Sequence, residues 1–290
     1  MARARSELAA GEPALSQRAA LAASRSLSVL AFLAAHPAEP YTLSQLAREL
    51  DVNASSMHGI LGVMTQTGFV RRHPVHKTYS LGPMAVAAGQ AAQAQNREVE
   101  LAKQEAAKVA DARGLRWSIV AAIDGSMVTL GRGGPLTGHH STFVGQREPH
   151  VPPFGSFNVA WAPGTEVPWL NRAEPPLAPD EIAQWQDALA AVRREGRAVL
   201  VADRGRLRIA IRSDVTLPPA GLLVSFDSIA QHRVYYVGVP VFDAFGQVCL
   251  GLFVDEFPRG ATPEFVGEVA DELQTAARNV MAQTGGQPPH

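Results

Sequence analysis

Apolar residues recur at helical spacing in two short stretches between Thr42 and Gly68, and a capping residue precedes each stretch. Thr42, with Gln45 three positions later, has the pattern of a capping box. Asn53 or Ser55 can cap the second helix, and Gly68 can close it as the C′ residue. The pattern therefore predicts two helices joined by a tight polar turn. Their predicted buried positions are Leu43, Leu46, Ala47 and Leu50, then Met57, Ile60, Leu61 and Met64.

A third helix is predicted upstream, over residues 24–35, and Pro37 and Pro40 end it. Its predicted buried positions are Leu27, Leu30, Ala31 and Ala34. Downstream, FVRR and KTYSL are predicted to form two strands around the turn HPVH. Three helices followed by a hairpin predict a winged helix-turn-helix DNA-binding domain over residues 16–82.

The exposed side of the second helix of the pair carries short polar side chains, so its axis can approach base edges in a major groove about 12 Å wide. The basic residues of the following hairpin are suited to phosphates. A helical subdomain with a solvated polar face would show part of this pattern. We favour DNA binding because the capping box, turn, apolar stripe and basic hairpin occur in the order that the fold requires. The candidate DNA-binding residues are Arg25, Thr42, Ser44, Ser55, Ser56, His58, Gly59, Arg71, Arg72, Lys77 and Tyr79.

Charge supports a local nucleic-acid signal rather than one that extends over the chain. Residues 1–83 carry eight Arg and Lys and five Asp and Glu, a net charge of +3, whereas the 290-residue chain has −1. The single cysteine, Cys249, permits no intrachain disulfide and is predicted to be a buried, inert thiol. No run approaches the ~20 apolar residues that span a bilayer. A cytoplasmic protein with no membrane partner is therefore expected.

Beyond the hairpin, residues 83–113 are rich in Ala, Gln, Glu and Lys and predict a linker of one long helix or two helices in series. Residues 1–15 and 285–290 are predicted to be disordered tails. Residues 114–284 alternate between strands and helices. The predicted strands are RWSIVAAI, SMVTLGR, HHSTFVG and the hairpin RVYYVGVPVFDAFGQVCLGLFVDEF, whose turn is DAFG.

Two longer helices are predicted in this part, over residues 179–196 and 262–283, each with a proline at its start. Antiparallel strands flanked by helices predict an α+β sensor domain. GRGG at residues 131–134 lacks the Lys-Ser/Thr of a phosphate loop, and no nucleophile elbow is present. The three histidines considered for a metal fit no standard ligand spacing: His139, His140 and His150. No catalytic residue, metal or cofactor is therefore expected.

The segments SRSLSVLAFLA, YTLSQLARELDVNASSMHGILGVMTQTGFVRR and KTYSLGPMAVAAG resemble the IclR family of bacterial transcription regulators. The resemblance implies a winged helix-turn-helix, a helical connector that helps the N-terminal domains to dimerise, and a GAF-like effector-binding domain. VPVFDAFGQVCLGLFV and VPPFGSFNVAWA carry it in the C-terminal part, whereas residues 203–231 match poorly and suggest an insertion. Gly59 is a departure, because the family usually has arginine after the histidine at this place, here His58.

The resemblance also implies an effector site. Relatives hold small acids with backbone amides of one loop and with small polar residues on facing strands. Here large rings replace small polar side chains, so either the pocket is filled or it takes a more apolar or aromatic ligand. Asp255 would repel a carboxylate unless it were protonated or bridged. The implied effector-binding residues are Phe154, Gly155, Ser156, Phe157, Asn158, Tyr236, Phe253 and Asp255.

The sequence thus predicts a homodimeric or homotetrameric regulator that binds double-stranded DNA and a small-molecule effector. Two alternatives stay open. An enzyme tethered by its N-terminal domain would need a catalytic set, which the sequence does not present. An interaction protein with a vestigial DNA-binding domain would fit Gly59 and the modest positive charge.

Overall fold

The computed structural model describes residues 17–135, 143–203, 206–211 and 222–289. The chain divides into two compact units, residues 1–92 and 93–290. The elements of the first unit are α1 (Gln17–Ala35), β1 (Tyr41–Thr42), α2 (Leu43–Glu49), α3 (Ala54–Gln66), β2 (Val70–Arg72) and β3 (Thr78–Leu81). The next helix, α4 (Pro83–Gln95), runs across the division.

The predicted helix pair, α2 and α3, is confirmed together with its caps. The amide of Gln45 donates to Thr42 Oγ1 at 3.3 Å, and the amide of Thr42 donates to Gln45 Oε1 at 2.8 Å. Asn53, rather than Ser55, caps α3, because its Oδ1 accepts from the amide of Ser56 at 2.8 Å. The buried residues of α3 are the predicted ones, Met57, Ile60, Leu61 and Met64.

Helix α1 turns a different side to the core than the sequence predicts. Val29 and Leu33, four residues apart, are buried, and the predicted residue Leu30 packs against the same core. The predicted core residue Leu27, in contrast, is 66% exposed. The helix also begins earlier, at Gln17. Apolar residues occur on several sides of this alanine-rich segment, so the helical period alone does not select one stripe. Packing against the other helices makes that choice.

The predicted hairpin forms β2 and β3, and a third strand joins it. β1 pairs with β3, which gives the order β1-β3-β2. Tyr41 lies opposite Tyr79, and Thr42 lies opposite Thr78. A two-residue strand is too short to show an alternating pattern, and the sequence therefore does not predict β1.

The second unit is an α+β arrangement around a mixed sheet. The described strands have the order β6-β5-β4-β11-β10-β7-β8-β9, and each neighbouring pair is antiparallel except β8 with β9. The expectation of a purely antiparallel sheet is therefore wrong at this edge. The strands are β4 (Arg116–Ile123), β5 (Ser126–Gly133), β6 (Arg147–Pro149), β7 (Ala198–Asp203), β8 (Arg206–Ile211), β9 (Leu223–Ser225), β10 (Arg233–Phe242) and β11 (Val248–Asp255). The helices are α5 (Arg97–Asp111), α6 (Ser156–Ala160), α7 (Glu166–Leu170), α8 (Pro179–Glu195), α9 (Pro263–Thr284) and a 3₁₀ helix, Phe226–Gln231.

Apolar side chains cover both faces of this sheet. On β7, Val199 and Val201 join the core beneath α5 and α9, while Ala198 and Leu200 join the core beneath α6 and α8. Helix α5 therefore belongs to the body of the second unit, although the sequence places it in the linker of residues 83–113. Its apolar signal is weak because small alanines, among them Ala106, make the buried stripe. None of the described helices is long and apolar enough to cross a membrane.

Three further segments differ from their predictions. In HHSTFVG, residues 139–142 lie outside the described residues, and residues 143–145 form a turn rather than a strand. Residues 203–231, predicted to be an insertion, contribute β8 and β9 to the sheet. Residues 285–289, predicted to be disordered, contact the β10–β11 hairpin: the amide of Gln287 donates to the carbonyl of Asp243 at 3.1 Å. Residues 1–15 lie outside the described part of the chain.

The orientation of α1 can be tested with two leucines on the same helix. Leu33→Ala should lower the free energy of unfolding by about 2–5 kcal/mol, because it opens a cavity in the hydrophobic core of the first unit, called the first core below. Leu27→Ala should change it by less than about 0.5 kcal/mol, because that side chain is exposed. The pair has the same change in helix propensity, so urea denaturation followed by circular dichroism compares burial alone. Equal losses in the two variants would contradict the observed orientation.

Candidate DNA-binding surface and ligand cavity

Helix α3 presents small polar side chains to solvent. Ser55 and His58 are exposed, and Ser56 is partly exposed. No atom lies within 4 Å of a Cβ placed at Gly59 or Gly62, so the helix surface is open there. Because these side chains are small or absent, the backbone of α3 can come close to the floor of a DNA major groove.

The candidate residues on α1 and at the start of α2 differ in solvent exposure and in hydrogen bonding. Ser44 is exposed in the first turn of α2, and Arg25 is partly buried on α1. The Thr42 hydroxyl is engaged in the capping box, where it also donates to Gln45 Oε1 at 2.8 Å. Thr42 therefore holds the start of α2 through its side chain.

The hairpin places two arginines on its surface. Arg71 and Arg72 are exposed on β2, and the ammonium group of Lys77 donates to the carbonyl of Pro74. Tyr79 is only 5% exposed and lies in the first core, which corrects its place among the surface residues. The guanidinium carbon of Arg72 lies 5.8 Å from the Tyr79 ring centroid, within the range of a cation–π contact. Tyr79 therefore orients Arg72 from below.

Two histidines in the hairpin turn were not among the candidates. Nδ1 of His73 accepts from the backbone amides of Val75 at 3.2 Å and His76 at 3.1 Å. Both rings are exposed, with centroids 4.6 Å apart. Because Nδ1 accepts, the neutral His73 ring carries its proton on Nε2, where it can donate outward. The motif HPVH contained this signal.

A cavity of about 520 Å³ lies in the second unit, on the face of the sheet opposite α5 and α9. Residues of β4, β5, β10 and β11 line it. Tyr236 lies opposite Asp255, and Gly238 lies opposite Phe253, so alternate residues of both strands face the same side. The structure brings together at this cavity the predicted residues Phe154, Gly155, Tyr236, Phe253 and Asp255.

The other three predicted residues are not among its lining residues. Ser156 is buried, and its side chain hydrogen-bonds that of Tyr236. The Phe157 ring packs against Phe253 with centroids 5.4 Å apart. Asn158 is partly exposed on α6. Ser156 and Phe157 thus support the cavity wall from behind.

Gly155 is required by the backbone of the cavity loop. Its φ of 85° is in the left-handed region, and a Cβ there would lie 1.9 Å from Cδ2 of His150. Burial lowers the pKa of His150, and the positive charge of Arg172 lowers it further. The neighbouring carbonyl of Phe154 accepts from Nε1 of Trp169 at 3.0 Å. Trp169 is a core residue that fixes this loop.

Three charged groups of the cavity form an ion-pair cluster. Nε of Arg116 donates to Oδ1 of Asp255 at 2.6 Å, and its Nη2 lies 3.4 Å from Oε1 of Glu256. Asp255 is therefore bridged by a cation. Burial raises the pKa of Tyr235, and the carboxylates of Glu148 and Asp255 raise it further.

Sequence reasoning missed several lining residues, namely Arg116, Ser118, Thr129, Glu148, Arg233, Tyr235 and Glu256. Ser118 and Thr129 are polar residues that interrupt the apolar runs RWSIVAAI and SMVTLGR. Alternate residues of a strand face the same side of the sheet. A polar residue within an otherwise apolar strand is therefore the signal that would have found them. The partner of Arg116 comes from the far end of the chain, and no local pattern reveals it.

Cys249 is not among the residues that line this cavity, and it is partly buried rather than buried as predicted. Burial raises the pKa of Cys249 to about 11, and its thiol donates to the carbonyl of Val241 at 3.4 Å, which agrees with an inert thiol. His139 and His140 lie outside the described residues. Within the described part of the chain, no three His, Cys, Asp or Glu side chains are grouped to hold a metal ion.

Comparisons with known proteins agree with this architecture. Residues 22–74 match the family model of the IclR helix-turn-helix domain. No curated protein matches the chain. The N-terminal part of the chain is therefore similar to the helix-turn-helix domain of the IclR family.

Solved structures extend the likeness to the whole fold. An IclR transcriptional regulator from Alicyclobacillus acidocaldarius is 24% identical, with a TM-score of 0.71 over 91% of this chain and 99% of that one. The IclR of Thermotoga maritima is 17% identical, with a TM-score of 0.58 over 92% and 99%. An IclR homolog from Microbacterium hydrocarbonoxydans, complexed with 4-hydroxybenzoate, is 17% identical, with a TM-score of 0.61 over 89% and 99%.

The constraint at Gly155 can be separated from ordinary backbone strain. Gly164 has nearly the same φ, 84°, but nothing within 4 Å of its Cβ position. Gly164→Ala should cost about 1–2 kcal/mol for the left-handed backbone alone. Gly155→Ala should cost about 1–3 kcal/mol more, because its methyl group meets the His150 ring.

Thermal unfolding of both variants measures the difference. His150→Ala combined with Gly155→Ala should restore stability to the level of Gly164→Ala. If Gly155→Ala and Gly164→Ala are equally stable, the close packing of His150 on Gly155 is wrong.

Proposed function

We propose that this protein is a ligand-responsive, sequence-specific DNA-binding transcriptional regulator. The observation that carries the proposal is the open, small-residue face of α3 beside a basic hairpin, within residues that match an IclR helix-turn-helix domain. Double-stranded DNA is the partner that this surface suits, and we therefore place the protein in the cytoplasm.

In the proposed complex α3 enters a major groove. Ser55, Ser56 and His58 would reach base edges, since short side chains bring the helix axis close. Arg71, Arg72 and Lys77 would contact phosphates, which fix position rather than read sequence. Gly59 supplies no contact of its own. We expect His73 and His76, in the turn of the hairpin, to donate further hydrogen bonds to the DNA phosphates that the hairpin contacts.

A cavity of about 520 Å³ supports the ligand response. This volume falls within the range of roughly 300–1,000 Å³ that small-molecule sites occupy. Aromatic rings of Phe154, Tyr235, Tyr236 and Phe253 line it, which supports an apolar or aromatic effector. One protein with the same fold is complexed with 4-hydroxybenzoate, a small aromatic ligand. An effector would shift DNA binding only by favouring one conformation over another.

The hairpin contacts can be tested by salt dependence. Arg72→Ala should weaken binding to DNA from upstream of its own gene and lower the log–log salt slope by about 0.9 for the one lost phosphate contact. Arg194→Ala is the matched control, because Arg194 is an exposed arginine on α8 of the second unit. Fluorescence anisotropy at several salt concentrations measures both. Unchanged affinity and slope in Arg72→Ala would exclude the hairpin from the interface.

We also propose that the protein binds DNA as a homodimer or homotetramer. A single domain with one short recognition helix and a net charge of +3 over residues 1–83 offers few anchors. Two half-sites, separated by about one helical turn of 34–36 Å or multiples of it, would double them. Sedimentation velocity at micromolar concentration should therefore show at least a dimer. A monomer that keeps full DNA affinity would contradict the proposal.

A further inference from the structure

We propose that the cavity selects an aromatic amine, a ligand with an apolar ring and an ammonium group, over an aromatic carboxylate of the same shape. This inference rests on the proposed ligand response and adds the chemical class of the ligand. It is carried by the excess of carboxylates over guanidinium groups among the described residues that line the cavity.

The charge count of the cavity favours a cation. Two guanidinium groups, of Arg116 and Arg233, stand against three carboxylates, of Glu148, Asp255 and Glu256, which leaves a net charge of −1 among the described lining residues. A charged ligand that enters loses its hydration, so the sign of the surrounding field decides whether it is held.

Arg116 is poorly suited to capture a ligand carboxylate. Its guanidinium is almost buried and bonds Asp255 at 2.6 Å, with Glu256 at 3.4 Å. A ligand carboxylate would have to compete with both residues for the same cation. Breaking a buried pair leaves a charge uncompensated, which is unfavourable. An ammonium group, in contrast, would bring a donor and a positive charge to these carboxylates without competing for the guanidinium group.

The Tyr235 hydroxyl reports the sign of the local field. Apart from burial, the carboxylates of Glu148 and Asp255 raise its pKa more strongly than Arg116 and Arg233 lower it. The same carboxylates that disfavour a phenolate would disfavour a ligand carboxylate beside it. They would stabilise an ammonium group at that place.

The backbone at Glu256 is held in an uncommon conformation to present its carboxylate. Its φ is 64°, in the left-handed region that is unfavourable for a residue other than glycine. Glutamate directly follows Asp255 at the end of β11, so the two carboxylates flank one guanidinium. Strain of this kind is found at ligand sites, where the surrounding structure maintains it.

The apolar part of the cavity suits the ring of such a ligand. Phe154 and Tyr235 have ring centroids 6.5 Å apart, and Tyr236 and Phe253 meet edge to face at 5.1 Å. Aromatic faces attract an ammonium group by their quadrupole as well as packing against a ring. The hydroxyl-bearing residues Ser118 and Thr129 add polar positions on the strands beneath.

Three probes of matched shape test the proposal on the full-length protein: 2-phenylethylamine, 2-phenylethanol and 3-phenylpropanoate. Isothermal titration calorimetry at neutral pH should give the order amine, alcohol, carboxylate. The amine should bind at least about tenfold more tightly than the carboxylate. Equal or tighter binding of the carboxylate, or no binding of the amine at millimolar concentration, would overturn the proposal.

Variants then assign the preference to the carboxylates. Asp255→Asn and, separately, Glu256→Gly should each reduce the ratio of amine to carboxylate affinity by about tenfold, since each removes one negative charge. Glu256→Gly also relieves the left-handed backbone, so it keeps the test valid if Asp255→Asn unfolds. Glu166→Gln, at an exposed carboxylate on α7 away from the cavity, is the matched control and should leave the ratio unchanged. An unchanged ratio in a folded Glu256→Gly variant contradicts the assignment.

DNA affinity without ligand, measured on the wild-type protein, separates this inference from the proposed function. Loss of the ligand preference with intact, salt-dependent DNA binding overturns only the ligand class. Absence of DNA binding overturns the proposed regulator, whatever the cavity prefers.

Discussion

The second unit depends on the packing of α5 and α9 against one face of its sheet. Val266, Val269 and Leu273 of α9 are fully buried, and the alanines of α5 let the two helices lie close to the strands. Burial of this apolar area is the main favourable contribution to the stability of such a unit. The helices close that face, and the cavity of the described residues lies on the other one.

On the other face of the sheet, the described helices pack over only some of the strands. α6 and α8 pack over the part formed by β7, β8 and β10, where Trp169 and Trp185 meet at 5.2 Å. Over β4 and β5 the described cover is the loop that contains Phe154 and Gly155. The cavity lies under this loop. Rings from β10 and β11 line it because register places them on that face.

The first unit follows a different constraint. Both of its central helices are fixed at their starts by side-chain caps, and their buried stripes are short. Capping determines where α3 begins, and hence which residues of it face solvent. Tyr79 has two roles, because its ring is part of the core and also contacts the guanidinium group of the exposed Arg72. The packing behind the candidate surface thus orients the side chains that it exposes.

Local chemistry made much of this fold predictable from the sequence. The capping box at Thr42, the stripe of α3, the strand RWSIVAAI and the proline-led helices α8 and α9 depend on neighbours within a few residues, and each was predicted. Five of the eight implied cavity residues lie at the cavity, and three of them, Tyr236, Phe253 and Asp255, do so because strand alternation and one tight turn set their register.

Only tertiary structure decided the rest, since those features depend on residues distant in sequence. The exposed side of α1, the inclusion of β8 and β9 in the sheet and the burial of Tyr79 all result from packing between elements. The pair of Arg116 with Asp255 joins positions 139 residues apart, so no periodicity announces it. The sequence by itself determined the elements with strong local signals, which are the capped or proline-led helices and the alternating strands of the β10–β11 hairpin. Packing decided which charges meet, because a side chain meets a distant partner only after the sheet has assembled.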